Sequence, residues 1–555
     1  MKKYISALLS FAMLGLAASC SDDFMDTSST EQIDESQMFA SESNALMAIN
    51  GMHNLMHENN TSWLAHGGYQ IFMLATDMMC EDMVFTKSNP CLTWFAQLSA
   101  HQDPSNRDNE YYYSFFYRLV SNANKIIRGV ETLDDTPTIE YVKGQALAYR
   151  AFCYFNLVQM YGSRYVADTA NTQPACILRL DNSTSNMPRA SVEEVYAQIN
   201  ADLDEAIALL DACGVTAQDK SHITVWVARG LKARVLLTQG RYEEAASMAH
   251  LVIQGSGASL DSQTYLKTDI EHRMSDASSS EWLWAKVFNY QQEAAYNGTA
   301  KTLRQFHSFI SNSYASYNRN TPRCIYNHLY AQMTETDTRR GCWLPEASGN
   351  TSVGYFVLKD AAGAIQGNRF DFMSNKFLVP GAEFVGDIKA GGDVPYMRLP
   401  EIILIKAEAL ARLGRDDEAA QELYPLAVSR DPQYTVSTKT GQALIDEIMI
   451  QRRLELWGEG FRWFDLKRLA QPLDRGPKPR EGYSQGGWKA GKAPTNVDPL
   501  ASNYNMYDDQ LIGEDNRYRT PDNAFWQWLF PNSEVLVNKL LEQNPLQNTN
   551  DKRPS

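Results

Sequence analysis

The chain has 555 residues, of which 44% are hydrophobic, and its formal net charge is -15 at pH 7. A chain of this length buries a large core, and length alone favours two or more domains. The acidic balance argues against nucleic acid or anionic lipid as the main partner, because both are bound by clustered Lys and Arg.

Residues 1–19 have the three parts of a secretory leader. Lys2 and Lys3 supply positive charge, an apolar run extends to Leu16, and small residues then precede Cys20. The apolar run is shorter than the roughly 20 residues that span a bilayer. A cysteine directly after small residues is typical of a bacterial lipobox, so we expect Cys20 to be acylated and to anchor the chain. The alternative is an ordinary secreted protein in which this cysteine occurs by chance.

Residues 20–41 form a polar tether ahead of the first predicted helix. The tether begins with an acidic stretch from Ser21 to Asp23, which resembles the surface-export signal of Bacteroidetes lipoproteins. That resemblance implies an outer-membrane protein that faces the cell exterior.

Seven cysteines are present besides Cys20, which is an odd number, and no two of them form a CxxC motif. They are Cys80, Cys91, Cys153, Cys176, Cys213, Cys324 and Cys342. In so long a chain they do not indicate a disulfide scaffold, and most are expected to be buried thiols. Two local disulfides stay open, Cys80 with Cys91 and Cys324 with Cys342.

Helical periodicity dominates wherever a pattern is clear, so the sequence predicts an all-α fold with large irregular insertions. The predicted helices span residues 42–58, 108–132, 138–161, 191–211, 222–239, 242–254, 398–413, 416–429 and 442–469. His53 and His57 lie one turn apart in the first of these helices. With no third ligand nearby, an exposed helix face explains this pair more simply than a metal site.

Three stretches between the helices are rich in Gly, Asn, Ser and aromatic residues, at about 59–107, 255–397 and 471–525. Loops this long are uncommon unless they carry function, so we expect the ligand surface there. Flat rings flanked by polar side chains suit the apolar faces and hydroxyl rim of a sugar. The candidate ligand-binding residues are Trp63, Tyr69, Asn89, Trp94, Phe95, Trp282, Trp284, Tyr290, Tyr296, Tyr314 and Tyr317. For each ring the alternative is packing inside the insertion.

Residues 232–246 and 406–420 form an internal repeat. Both segments place a glycine between two helical runs, at Gly240 and Gly414, and both end in paired alanines. A helix, a glycine turn and a second helix with small residues at the crossing is the tetratricopeptide unit. The sequence therefore predicts a small helical solenoid, and chance similarity between two alanine-rich helices is the alternative.

Charges of both signs are concentrated at residues 445–470. Five of them follow one another at spacings of three or four residues: Glu455, Glu459, Arg462, Asp465 and Arg468. Paired carboxylates can act as acid and base, but mutual neutralisation along a helix is the simpler account. We therefore expect a structural ion-pair network and no catalytic residue.

No HExxH, GxSxG, P-loop or EF-hand pattern occurs in the sequence. Asp77, Glu81 and Asp82 are close enough to hold calcium together with loop carbonyls, but their spacing fits no known calcium loop. We predict neither a cofactor nor a metal.

Six segments carry a family resemblance, and they occur in order along the chain. They are LATDMMCEDM (74–83), YRLVSNANKII (117–127), GQALAYRAFCYFNLVQMYG (144–162), VPYMRLPEIILIKAEALARLG (394–414), IDEIMIQRRLELWGEGFRWFDLKRLA (445–470) and FPNSEVLVNKLLEQNP (530–545). Together they resemble the SusD/RagB family of nutrient-binding outer-membrane lipoproteins. The resemblance adds Arg398, Glu401 and Glu408 to the structural network. Gln451 stands where the family usually has a glutamate, which weakens one ion pair.

The resemblance implies one α-helical body with tetratricopeptide-like units, which sits as a lid on a SusC-like TonB-dependent transporter. It implies a binding protein that captures oligosaccharides without catalysis. On this basis we divide the chain into a leader (1–19), a lipidated tether (20–41) and a single body (42–555). The body has an N-terminal part at about 42–255 and a C-terminal part at about 256–555.

Three other functions stay open on the sequence. A RagB-like oligopeptide receptor has the same fold and would need main-chain partners and charged pockets. A glycoside hydrolase would need two carboxylates about 5–10 Å apart in a cleft. An adhesin or scaffold would bind proteins and no soluble glycan.

Overall fold

A computed structural model provides the coordinates of the chain. It describes residues 38–57, 65–85, 92–261, 274–288, 306–310, 323–343, 372–377, 392–473, 483–484, 488–489 and 522–545. The predicted leader and most of the tether lie outside these residues. So do several named positions: Cys20, Trp63, Asn89, Cys91, Tyr290, Tyr296, Tyr314 and Tyr317.

Helices make up most of the described chain, which confirms the predicted fold class. The helices are α1 (Glu42–Leu55), α2 (Gly68–Met78), α3 (Thr93–Ala96), α4 (Arg107–Val130), α5 (Pro137–Tyr161), α6 (Val192–Ala212), α7 (Val225–Thr238), α8 (Tyr242–Gly255), α9 (Phe306–Ile310), α10 (Asn327–Tyr330), α11 (Leu399–Arg412), α12 (Asp416–Arg430), α13 (Gln442–Glu455), α14 (Arg462–Arg468) and α15 (Asn532–Val537). The strands are β1 (Met83–Phe85), β2 (Trp282–Lys286), β3 (Arg323–Ile325), β4 (Val394–Arg398), β5 (Tyr483–Ser484) and β6 (Trp488–Lys489). They form three two-stranded antiparallel sheets, β1 with β3, β2 with β4 and β5 with β6.

Polar side chains cap the long N-terminal helices where they begin. Asn106 accepts a hydrogen bond from the second residue of α4, and Thr136 accepts one from the third residue of α5. Ser191 and Glu194 form a reciprocal capping box at the start of α6. Such caps satisfy N–H groups that have no partner inside the helix, which is why the predicted and observed starts agree closely here.

The predicted repeat forms two helix pairs, α7 with α8 and α11 with α12, that share one turn geometry. Gly240 and Gly414 both have a φ of 75°. In each turn the N–H of the next residue, Arg241 or Arg415, donates to a carbonyl five residues earlier at 3.0 Å. The two pairs stack through α8 and α11. Segments separated by a long insertion therefore adopt the same tetratricopeptide-like unit, as predicted.

The helices before the repeat extend the same stack. α4 packs on α5, α5 on α6 and α6 on α7, while α13 packs on α11 at the other end. Helix α5 lies at the centre, and every residue from Gly144 to Tyr161 is buried. The predicted pairs at 108–132 with 138–161 and at 191–211 with 222–239 thus complete a solenoid.

The prediction of one helix over 442–469 is wrong, because the chain breaks between α13 and α14. Gly458 and Gly460 have φ values of 81° and 83°, which residues with a Cβ rarely adopt. A Cβ on Gly460 would lie 2.6 Å from the Cα atom of Met73 on α2. The break therefore lets the backbone approach α2 closely.

Helix α2 lies inside the stretch 59–107, which the sequence predicted to be irregular. All eleven residues of α2 are buried. A helix buried all round has no polar face and so no 3.6-residue periodicity to detect. The first insertion therefore has a rigid helix at its centre.

The cysteines follow the expectation of buried thiols. Cys80, Cys153, Cys176 and Cys213 are buried and are not in disulfides. Cys324 and Cys342 also carry buried thiols.

His53 is buried, so the interpretation of an exposed helix face is wrong. Its Nδ1 lies 2.6 Å from the hydroxyl of Tyr149, and its ring centroid lies 4.4 Å from that of His222. Burial, with a further contribution from His222, lowers the pKa of His53 well below 6.5. Burial also lowers the pKa of His307 to about 3.

Acidification is expected to destabilise the fold through these histidines. The unfolded chain binds more protons at each site once the pH falls below about 6.5, so the free energy of unfolding falls by up to ~1.4 kcal/mol per pH unit per histidine. Urea denaturation at pH 7 and pH 5 measures this slope. H53Q keeps a polar group opposite Tyr149 and is expected to reduce the slope. H250Q, on an exposed face of α8, is the control and keeps it. Equal slopes for all three proteins would contradict the assignment.

Candidate functional site

The pairing of β1 with β3 brings two parts of the predicted insertions together. Phe85, the last residue of β1, lies opposite Arg323, the first residue of β3. The chain therefore enters residues 86–91 and leaves residues 311–322 at neighbouring points. These two segments carry the candidates Asn89, Tyr314 and Tyr317.

Helix α9 ties the second insertion to the same region. It packs on α2, and the side chain of Ile310 reaches Gly458 at the break before α14. Because α9 lies between residues 289–305 and 311–322, both segments start or end beside α2. Tyr290 and Tyr296 belong to the first of them. β1 and α3 also contact α2, and β3 pairs with β1. We name the region formed by α2, β1, α3, α9 and β3 the insertion base.

Trp94 is the predicted platform that the described structure exposes. Its side chain is 44% exposed, whereas the next residue, Phe95, is fully buried. Phe95 packs between Tyr112 and Trp528, with ring centroids 5.9 Å away on both sides. The packing of Phe95 fixes the orientation of α3, so the indole of Trp94 faces solvent at the edge of the insertion base. Gln97, three residues later, is partly exposed.

Four other candidates are core residues and not platforms. Tyr69, Phe95, Trp282 and Trp284 are between 0% and 8% exposed. The ring of Trp284 packs against Phe152 and Tyr396, with centroids 5.2 Å away in both cases. The residues of β2 are buried on both faces of the strand, except for the half-buried Leu283. Alternating aromatics in this strand therefore pack inward, and these rings leave no face for a ligand.

Ion pairs hold the C-terminal end of α2 against α13 and α14. The Asp77 carboxylate accepts backbone hydrogen bonds from Gly460 at 3.1 Å and Arg462 at 3.3 Å. Arg462 Nε donates to Glu81 at 2.9 Å, and Arg453 Nε donates to Asp82 at 2.9 Å. Burial raises the pKa of Asp77 to about 7, and the two backbone donors oppose that rise.

These contacts explain the acidic residues that resembled a calcium set. Guanidinium groups of Arg453 and Arg462 already neutralise Glu81 and Asp82. Among the described residues, no group of three or more His, Cys, Asp or Glu side chains is placed to hold a metal. Asp77, Glu81 and Asp82 therefore connect the insertion base to α13 and α14.

Arg398 is the centre of a buried charge cluster. Its guanidinium lies 3.3 Å from Glu281, 3.1 Å from Glu455 and 2.7 Å from Glu459. Arg430 bridges Glu281 at 2.6 Å and Glu455 at 3.1 Å. This cluster joins the β2–β4 sheet to α12 and α13. We name these five residues the central cluster.

The remaining predicted members form smaller charge clusters beside the central one. Arg468 donates to Glu408 at 2.7 Å and to Asp465 at 2.8 Å. Burial opposes ionisation of Glu408, but Arg468 and Arg412 outweigh it and lower its pKa to about 2. Glu401 pairs with Arg234 on α7 at 2.7 Å.

The partners that sequence reasoning missed come from distant parts of the chain. They are Glu281, Arg430, Arg339, Lys376, Arg234, Glu81 and Asp82. No spacing rule pairs residues so far apart. Gln451 accepts a hydrogen bond from Arg339 Nη2 at 2.7 Å. At this position, where we expected a weakened ion pair, the structure has a hydrogen bond to an uncharged side chain.

Two family models match the chain and together cover most of it. The model described as "SusD family" matches residues 278–546, and the model described as "Starch-binding associating with outer membrane" matches residues 23–237. The chain belongs to the SusD/RagB family. It is 22% identical to "SusD-like protein" of Bacteroides ovatus, with 81% of this chain and 80% of that protein covered. It is also 22% identical to "SusD-like protein P38" of Formosa agariphila, over 65% of this chain and 72% of that protein.

Solved structures show the same SusD fold. The structure described as a SusD-like carbohydrate binding protein from Bacteroides vulgatus has a TM-score of 0.73 at 22% identity, covering 92% of this chain and 100% of that one. A SusD superfamily structure from Bacteroides thetaiotaomicron has a TM-score of 0.67 at 20% identity, over 91% and 100%. Membership of the SusD family confirms the predicted resemblance and identifies a binding protein, not an enzyme. None of the helices in the described ranges combines the length and apolar character needed to cross a bilayer.

Proposed function

We propose that the chain is a cell-surface glycan-binding lipoprotein that captures oligosaccharides at the insertion base and passes them to a SusC-like TonB-dependent transporter. The exposed ring of Trp94 carries this proposal. Trp94 is 44% exposed, and its helix α3 packs on α2, the helix that β1 and α9 also contact. An exposed aromatic face next to polar side chains suits a sugar ring.

The family comparisons support the choice of a glycan as ligand. One matched model describes starch-binding proteins, and the Bacteroides vulgatus structure is described as carbohydrate binding. Asn89, Tyr290, Tyr296, Tyr314 and Tyr317 remain proposed contacts, since the segments that carry them begin or end at β1, α9 or β3 of the insertion base. Trp63, in the segment between α1 and α2, remains a proposed contact on its sequence alone.

The proposed membrane attachment is a lipid on Cys20, followed by a tether to about residue 41 that lets the body move over the transporter. We retain the division into leader (1–19), tether (20–41) and one body (42–555), and the exterior orientation, as parts of this proposal. Expression of the full chain in a bacterial host with labelled palmitate tests the anchor. Wild type is expected to incorporate label and C20S to lose it; label in both proteins would contradict the anchor.

A glycan and peptide binding screen with the chain lacking only its leader tests the ligand class. We expect an oligosaccharide to bind and W94A to bind it at least about fivefold more weakly, because truncating an aromatic anchor residue costs about 1 kcal/mol or more. Isothermal titration calorimetry measures both affinities.

Two tryptophan controls keep this result interpretable. Trp226 lies on the repeat helix α7 under the guanidinium of Arg229, so W226A is expected to bind like wild type. W284A removes a core ring and is expected to lower the unfolding midpoint. Wild-type affinity in W94A would overturn the platform, and binding of peptides alone would replace glycan with oligopeptide as the ligand.

A further inference from the structure

Arg452 on α13 presents a buried guanidinium group with few acceptors. The residue is 3% exposed, and its Nε donates to Asp465 Oδ2 at 2.7 Å. Its Nη1 is buried, and the described residues supply no hydrogen-bond partner for it. Buried guanidinium groups usually satisfy their donors with protein, water or an ion. This position therefore calls for a further acceptor.

Arg452 lines a pocket at the junction of α2, α5, α7, α13 and α14. The pocket has a volume of about 40 Å³. That is room for about three waters, or for one small ion with a water, and far too little for a sugar residue. The pocket is therefore separate in kind from the proposed glycan surface.

The residues that line this pocket carry more positive than negative charge. The guanidinium groups of Arg234, Arg452 and Arg468 line it, and the only lining carboxylate among the described residues is Asp465. Glu401 and Glu408, which pair with Arg234 and Arg468, are not among the lining residues. A group inside the pocket thus meets more positive than negative charge at close range.

Aromatic rings make up part of the wall. The ring of Phe461 lies between two guanidinium groups, with its centroid 5.1 Å from Cζ of Arg234 and 5.0 Å from Cζ of Arg452. Phe155 and Phe464 add further apolar surface. Apolar walls keep the local dielectric low, which strengthens the attraction between an anion and the three cations.

We propose that this pocket binds one small monovalent anion of the size of chloride or formate, with Arg452 as its main hydrogen-bond donor. Arg234 and Arg468 contribute charge. Water supplies only acceptors, whereas an anion supplies acceptors and a negative charge beside three arginine residues. Because the pocket joins α5 and α7 to α13 and α14, a bound anion stabilises the contact between the two halves of the body. This inference does not depend on the proposed glycan function.

Thermal unfolding in three sodium salts at equal ionic strength tests the proposal. Chloride and formate fit the pocket, and gluconate is too large for it. We expect the unfolding midpoint of the wild-type chain to rise with chloride or formate relative to gluconate, because a ligand that binds only the folded state stabilises it. A rise with formate alone identifies a carboxylate site, and a rise with chloride alone identifies a halide site. Equal midpoints in all three salts overturn the proposal.

Matched arginine variants assign the effect to this pocket. R452M removes the lining guanidinium and is expected to lose the salt-specific rise. R412M removes an equal charge from a residue that contacts Glu408 at 2.7 Å but does not line the pocket, and it is expected to keep the rise. Salt-specific stabilisation that survives in R452M contradicts the assignment.

Crystals of the wild-type chain grown with sodium bromide give a readout that needs no variant. We expect an anomalous bromine peak within hydrogen-bond distance of Arg452 Nη1 or Nη2. Water alone in the pocket, with bromide elsewhere, overturns the proposal even if R452M does not fold.

Discussion

Substitution E455Q is expected to lower the free energy of unfolding by about 3–5 kcal/mol, because it removes the negative charge at the middle of the central cluster. Glu455 is fully buried and accepts from Arg398 at 3.1 Å and from Arg430 at 3.1 and 3.2 Å. These arginines lower the pKa of Glu455 well below its ordinary value against the opposing effect of burial. Glutamine keeps the shape of the side chain but leaves buried guanidinium groups without enough negative charge.

Chemical denaturation followed by circular dichroism measures this loss. The matched control is E418Q on α12, where the carboxylate is 58% exposed and pairs with Arg415 on the surface. Exposed pairs contribute little to stability, so E418Q is expected to unfold at the wild-type midpoint. Unfolding of both variants at the same midpoint would show that the charge of Glu455 does not stabilise the fold.

The parts of the fold that sequence patterns predict are those fixed by local interactions. Helix α4 has a capping asparagine and an apolar stripe, and its predicted and observed bounds differ by two residues or fewer. The turns at Gly240 and Gly414 need a left-handed backbone, so a glycine in the sequence indicates where each turn lies. Sequence periodicity did not predict helix α2, because a fully buried helix has no polar face to contrast with an apolar one.

The candidate site was harder to predict for a related reason. Trp94 and Phe95 are adjacent aromatics in a four-residue helix, and only the packing of Phe95 against Tyr112 and Trp528 decides which ring faces solvent. Charge patterning identified Glu455 as structural, but its arginine partners lie on other elements. Tertiary contacts between distant segments set both outcomes, and no local spacing encodes them.

Substitution G460A is expected to destabilise the chain by about 2–5 kcal/mol through two separate effects. The first is the left-handed backbone, with a φ of 83°, which costs roughly 1–2 kcal/mol for a residue with a Cβ. The second is a collision, since the new Cβ would lie 2.6 Å from the Cα of Met73 and would push α2 away. Backbone displacement of this kind typically costs a further 1–3 kcal/mol or so.

The repeat supplies a control that isolates the second effect. Gly414 has a φ of 75°, and a Cβ built there meets no atom within 4 Å. G414A is therefore expected to show the backbone cost alone, about 1–2 kcal/mol by denaturation.

Displacement of α2 also moves the insertion base, because Asp77 accepts the N–H of Gly460 and β1 follows α2 directly. G460A, unlike G414A, is thus expected to weaken glycan binding in calorimetry at temperatures where both variants are folded. Equal stability losses in the two variants would show that the contact with Met73 does not constrain the break between α13 and α14.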